Sequence, residues 1–290
     1  MLAELPARAA MADSLPQIAL RPGATMPALG MGTWHMGERR RDRAREIAAL
    51  RLGIALGMAL IDTAEMYAEG GAERVVGQAI AGRRGEVFLV SKVYPHHARR
   101  RGAIDACRRS LQRLATDRLD LYLLHWRGTI PLAETIAGFE ALRAEGSIRA
   151  WGVSNFDRAD MEELLGLPGG EHCAANQVLY NLDCRGIEWD LLPFCRRNGV
   201  AIMAYSPLDE GRLITERRLG RLATRAGATP AQVALAWLLA QKVATIAKAA
   251  DAAHVQDNRR ALDVSLGQDL RQEIERAFPP PTGPTPLRTI

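Results

Sequence analysis

Leu119-Asp120-Leu121-Tyr122-Leu123-Leu124, followed at once by His125 and Trp126, is the stretch on which the architecture turns. Its nearly continuous apolar character predicts a strand covered on both faces. Val200–Ala204 reads the same way. Working outward, short apolar runs predict further strands at Leu29–Gly32, Ala59–Ile61, Val87–Ser91, Ile148–Val153, Ala174–Gln177 and Val243–Ile246. Longer amphipathic runs between them predict helices over about 42–56, 72–81, 98–114, 131–144, 158–165, 188–198, 230–241 and 251–261. Asp117 and Asp157 read as turn or cap residues, and Thr229-Pro230 as an N-cap followed by proline at the first helical position. Eight strand–helix units make a closed (β/α)8 barrel, the TIM-barrel class of α/β fold, the leading architecture.

The rival is an open doubly wound sheet, which needs a glycine-rich turn after its first strand to hold a dinucleotide pyrophosphate. The nearest candidate, Leu29-Gly30-Met31-Gly32-Thr33-Trp34, lacks GxGxxG and a helix start. Gln17–Leu20 and Thr25–Ala28 predict a short hairpin before the barrel. Residues 267–277 suggest one added helix, and 279–290 a proline-rich tail able to lie across the barrel mouth. Residues 1–16 read as a flexible N-terminal extension, with Met11 as an alternative start, and 17–290 as a single domain.

Composition excludes more than it assigns. The 290 residues are 48% apolar and 24% charged, an ordinary globular mixture. A net charge of +5 is too small to argue for nucleic acid, and the arginine runs at 39–43 and 99–101 have no aromatic interleaving. Cys107, Cys173, Cys184 and Cys195 form no CxxC pair, which suits reduced thiols in a cytoplasmic protein. Neither a signal-peptide core nor a run approaching ~20 apolar residues is present, so no membrane association is expected.

The chemistry is signalled at the strand ends. Asp62, Lys92 and His125 each stand at the carboxyl end of a consecutive predicted strand, 30 and 33 residues apart. In a barrel those ends converge on one face. Tyr67 follows on the loop after Asp62 and can return over the same mouth. Each residue alone has a plainer reading: a cap, a surface lysine, a packing tyrosine, a buried histidine. Together they make an acid–base device. The Lys92 ammonium should lower the phenol pKa of Tyr67 from ~10, while Asp62 keeps the lysine charged. His125 would align a carbonyl that Tyr67 protonates as hydride arrives. A metal site drawn from Asp62, His125, His96 and His97 is the weaker reading, since HExxH is absent and Lys92 would repel a cation.

The remaining strand ends extend the pattern. Ser154, Asn155 and Gln177 offer amides and a hydroxyl suited to a nicotinamide carboxamide, and Tyr205 a ring to stack on it, with Ser206 beside it. Lys248 stands where a phosphate could bind, with His254 and Asn258 on the next helix.

These residues also spell a family pattern. Leu60-Ile61-Asp62-Thr63-Ala64-Glu65-Met66-Tyr67, Leu89-Val90-Ser91-Lys92-Val93, 119–126, Gly152-Val153-Ser154-Asn155-Phe156, Asn176-Gln177-Val178-Leu179-Tyr180 and Ala204-Tyr205-Ser206-Pro207-Leu208 resemble the aldo/keto reductase family over roughly residues 17–280. The likeness leans to a bacterial branch that looks like methylglyoxal or general aldehyde reductases. It implies a barrel that binds nicotinamide dinucleotide without a Rossmann domain, and a catalytic tetrad of Asp62, Tyr67, Lys92 and His125. It implies cofactor contacts from Thr33, Trp34, Asp62, Ser154, Asn155, Gln177, Tyr205, Ser206, Leu208, Lys248, Ala249, His254, Asp257 and Asn258. Ala249 replaces a usual hydroxyl residue, and His254 stands where arginine is common. The resemblance therefore implies NADPH preference through Lys248, with NADH accepted more readily than by an arginine-containing site. It leans to a monomer.

Trp34, Tyr67, Tyr94, His125 and Trp126, with His96 and the tail nearby, would wall the substrate pocket. The segments at 127–130 and after 206–208 read as short, leaving a shallow pocket for small aldehydes or ketones, 2-oxo-aldehydes such as methylglyoxal foremost. Two other classes share the fold: a non-enzymatic nicotinamide-binding regulatory barrel, and an aldolase or isomerase forming a Schiff base on Lys92.

Overall fold

In the computed structural model, which describes residues 15–21 and 23–290, the first described elements form an antiparallel hairpin, β1 (Gln17–Leu20) and β2 (Ala24–Pro27). The expected extension at 1–16 lies outside the described residues except for Leu15 and Pro16. The alternation then runs β3 (Leu29–Gly32), α1 (Arg43–Ala55), β4 (Leu60–Asp62), α2 (Gly71–Ile80), β5 (Phe88–Val93), α3 (Arg100–Leu114) and β6 (Leu119–Leu124). It continues with α4 (Leu132–Ala144), β7 (Ile148–Ser154), α5 (Arg158–Gly166), β8 (Cys173–Leu179), α6 (Leu191–Arg197) and β9 (Ala201–Tyr205). After β9 come α7 (Arg217–Ala226), α8 (Pro230–Ala240), β10 (Ala244–Lys248), α9 (Ala252–Arg259) and α10 (Gln268–Ala277), then an irregular tail. Strands β3 to β10 close into one parallel barrel, with β10 paired back on β3.

Side-chain alternation along each strand sets what faces inward. Leu60, Val90, Leu121, Leu123, Met203 and Ile246 form the interior cluster, joined by Leu20 and Met26 of the hairpin. Two residues further along the same strands, and so on the same face, come Asp62, Lys92, His125 and, after Ala175, Gln177. The apolar interior therefore ends in a polar layer at the carboxyl mouth. Close packing below it needs small residues. A Cβ on Gly152 would stand 2.3 Å from the Ala175 carbonyl and 3.0 Å from Leu123.

Asp120, the charged residue of the deciding strand, is buried but not isolated. Its carboxylate accepts the Leu89 N–H at 2.8 Å and meets Arg84 at 2.7 Å and Arg149 at 2.8 Å. Those partners replace the hydration that burial removes. Outside the barrel wall Tyr122, Phe139 and Trp151 pack in series, with centroids 5.4 and 5.7 Å apart. Asp157 and Thr229 both form capping boxes at the helix starts read from sequence.

One expectation is corrected. The chain after 206–208 is not a short loop but carries a 3₁₀ segment, Asp209–Thr215, and the additional helix α7. Leu219, Leu222 and Ala223 of α7 are buried, an apolar stripe at helical spacing among arginines that packs the helix on its neighbours. The tail does reach the mouth: Thr285 packs on Gly186, and the main chain of Ile290 meets the Tyr205 hydroxyl.

Candidate active site

Strand β4 ends at Asp62, and the loop beyond it turns sharply. Tyr67–Gly70 forms a 3₁₀ turn in which Ala68 and Glu69 take left-handed conformations, φ 50° and 51°. Such conformations disfavour a Cβ, and here the turn brings the Tyr67 ring back over β5. Lys92 Nζ lies 3.2 Å from the Tyr67 hydroxyl and 4.9 Å from its ring centroid.

Lys92 is fully buried, and its three N–H donors have three acceptors: Asp62 Oδ2 at 2.6 Å, the Thr63 carbonyl at 3.1 Å and Tyr67 Oη. Asp62 Oδ1 accepts from Gln177 Nε2 at 2.8 Å, across the barrel. The Asp62 carbonyl receives the Thr33 N–H and hydroxyl at 3.1 and 3.0 Å. Because Lys92 donates into the phenol oxygen, the phenol's own hydrogen is left to point elsewhere. His125 completes the group, its ring 5.8 Å from that of Tyr67.

Burial raises the Tyr67 phenol above its ordinary value; Lys92 pulls it down, and Asp62 pushes it up again. The expected lowering is thus corrected in its net direction: Lys92 acts with the anticipated sign, but dehydration of the phenolate outweighs it. Burial likewise disfavours the Lys92 ammonium, yet Asp62 and Tyr67 hold its pKa above the ordinary lysine value. A charged amine with every hydrogen engaged is a poor nucleophile, which removes the footing of the Schiff-base reading. Burial first, and Lys92 second, push the His125 imidazole down to about 3. The ring is neutral at physiological pH, a state that leaves it one N–H to donate and no charge. Its Nδ1 is buried without a protein partner.

The next three strands supply a connected polar wall. Ser154 donates to the Gln177 carbonyl at 2.8 Å, and Asn155 Nδ2 to the His125 carbonyl at 3.2 Å. The Tyr205 hydroxyl donates to Asn155 Oδ1 at 2.9 Å. Asn155 and Ser206 are both left-handed, at φ 59° and 45°, as the chain leaves β7 and β9. Leu208 packs beside the cluster of Leu235 and Ala247. Trp34 and Trp126, 36% and 37% exposed, form aromatic lips, with Tyr94 5.8 Å from Trp126.

The far edge of the mouth is less uniform. Lys248 is exposed and has no ion-pair partner among the described residues. Ala249 is buried against Ala49 and Val255. His254 is held by Asp251 at 2.8 Å. Asp257 has both oxygens engaged at the start of α8, by Thr229 at 2.9 Å and Gln232 at 2.7 Å. Asn258 is buried with its Nδ2 unpartnered. Two contributors escaped the sequence reading: the Thr63 carbonyl, which carries no side-chain signal, and Glu65. The signal for Glu65 was a carboxylate beside Tyr67 with paired histidines, His96 and His97, one strand later. Those histidines stand by Glu65 and Tyr94, not with Asp62 as a metal set.

A closed parallel barrel with an acid–base group gathered at the carboxyl ends of its strands defines an enzyme of the barrel class. The chain belongs to the aldo/keto reductase family, whose family model matches residues 28–278. It is 54% identical over 272 residues to Methylglyoxal reductase YeaE of Escherichia coli (strain K12), covering 92% of this chain and 96% of that protein. Among solved structures it resembles an aldo/keto reductase from Klebsiella pneumoniae in complex with NADP and acetate. That match has a TM-score of 0.92 and 50% identity, and covers 94% of this chain and 99% of the other. A second Klebsiella pneumoniae structure, in complex with NADPH, matches with the same score and identity over 95% of this chain and 99% of the other.

Proposed function

We propose that this chain reduces small aldehydes and ketones, 2-oxo-aldehydes such as methylglyoxal foremost, using NADPH, with Tyr67 as general acid. The observation that carries the reading is Lys92, buried, 2.6 Å from Asp62 and 3.2 Å from the Tyr67 hydroxyl. Support for the substrate class comes from the aromatic, uncharged lips of the mouth and from the similarity to a methylglyoxal reductase.

The residues fit the cofactor. An exposed, unpaired Lys248 suits a phosphate, the orphaned Asn258 Nδ2 lacks an acceptor that a purine offers, and Ser154, Asn155 and Gln177 present polar atoms for a carboxamide. NADPH, when bound, supplies the hydride. The protein's part is the proton: neutral His125 donates a hydrogen bond to the carbonyl oxygen, and Tyr67 gives that oxygen its phenol proton. Lys92 holds the phenol in place and stabilises the phenolate left behind, and Asp62 keeps Lys92 charged and oriented.

A phenol raised above ~10 keeps its proton throughout the neutral range. Carbonyl reduction at saturating cofactor should therefore stay within about two-fold from pH 6 to 9 and fall only above ~10. Alcohol oxidation needs the phenolate and should climb about ten-fold per pH unit from 7 to 9. Initial rates in both directions check this. A reduction rate falling ten-fold between pH 6 and 8 would assign the proton to another group.

Lys248 lacks an arginine fork beside it, and His254 is committed to Asp251. NADPH should be preferred over NADH by about ten-fold in kcat/KM, the worth of one exposed charge contact. Equal or greater kcat/KM with NADH rejects the preference.

A further inference from the structure

Glu65 is only 8% exposed, although none of the chemistry above uses it. A carboxylate is hidden from water only where other groups replace its hydration. For the Glu65 carboxylate they come from two parts of the chain, the 94–97 turn and α3, while its main chain is fixed separately. The Glu65 N–H donates to the Lys92 carbonyl at 3.3 Å. Its Oε1 accepts the Tyr94 N–H at 2.9 Å and faces His97 Nδ1 at 3.0 Å. Its Oε2 faces Arg109 of α3 at 3.9 Å. One side chain thus ties the loop that carries Tyr67 to the loop that carries Tyr94. Tyr94 meets Trp126 edge-on at 5.8 Å, and Trp126 lies 5.0 Å from His125. Tyr94, Trp126 and His125 thus form one packed series on this side of the mouth, anchored at Glu65.

We infer that Glu65 is a positioning residue that sets the shape of the carbonyl pocket, holding the Tyr94–His97 turn against the Tyr67 loop and so deciding which carbonyls fit. The inference deepens the reductase reading and rests on it for the substrate class. The Asp62–Lys92–Tyr67 bonds do not pass through the Glu65 side chain, so loss of the tie acts on carbonyl binding more than on proton transfer.

The test compares Glu65→Ala and Glu65→Gln in the full chain with methylglyoxal and with benzaldehyde. Alanine should raise the methylglyoxal KM about ten-fold, the worth of a hydrogen bond to a charged group, with kcat within about three-fold. The benzaldehyde KM should change less, so that the preference between the two narrows. Glutamine keeps an oxygen for the Tyr94 N–H and should restore both constants to within about three-fold. Hydrogen exchange of the Tyr94 amide reads the tie without turnover: about ten-fold faster in alanine, near wild type in glutamine. If the alanine variant does not fold, Glu65→Asp, one methylene short of the tie, should show the same two changes. Unchanged exchange and unchanged KM overturn the inference, as does a fall in kcat alone for both aldehydes. Wild-type protein inactive on every carbonyl would reject the reductase reading instead, and the Tyr94 amide would still decide the tie.

Discussion

Tyr67→Phe should lower kcat for carbonyl reduction by about 10²–10⁴-fold, the usual contribution of a positioned general acid. NADPH affinity, read by quenching of protein fluorescence, should change by less than about three-fold, since the variant keeps the ring and loses one oxygen. Stability should fall little. The phenol oxygen is one of three acceptors around Lys92, and Asp62 and the Thr63 carbonyl remain. The combination separates a proton donor from a structural tyrosine. Turnover within ten-fold of wild type would place the acid elsewhere, with His125 the next candidate, although a ring whose pKa is pushed down to about 3 carries no spare proton near neutrality.

Lys92→Met should damage both stability and activity. The fully buried ammonium is the partner of Asp62, itself 4% exposed, and its removal leaves that carboxylate with only Gln177. Breaking a buried pair in this way costs about 3–5 kcal/mol, measurable as a lowered urea midpoint. Turnover should fall by about 10²-fold or more, because the proposed proton transfer would leave a Tyr67 phenolate with no cation beside it. The double variant Lys92→Met/Asp62→Asn removes the orphaned charge and should regain much of the stability while regaining none of the turnover. Full activity in the stable double variant would reduce Lys92 to a packing role.

Much of this was legible because barrel strands advertise themselves. β6 matches its reading at both ends, since a strand buried on two faces is apolar but for Asp120 and stops where the polar mouth begins. Their place at the ends of consecutive strands brings Asp62, Lys92 and His125 to one mouth of a barrel, whereas which face each side chain takes is fixed only in the closed sheet. Other features were illegible for physical reasons. The direction of the Tyr67 shift depends on how deeply the ring is buried, and one sequence does not weigh that against a neighbouring charge. Asp257 has its oxygens engaged at the start of α8, a pairing between residues 28 and 25 positions apart. Glu65 joins loops that only the closed barrel brings together.

The central claim, a nicotinamide-dependent carbonyl reductase working through the mouth of this barrel, is tested most directly by NADPH absorbance at 340 nm with purified protein and methylglyoxal. The expected result is a loss of absorbance that saturates with methylglyoxal and matches the alcohol formed mole for mole. Folded protein that neither binds NADPH nor consumes it with any small aldehyde would contradict it.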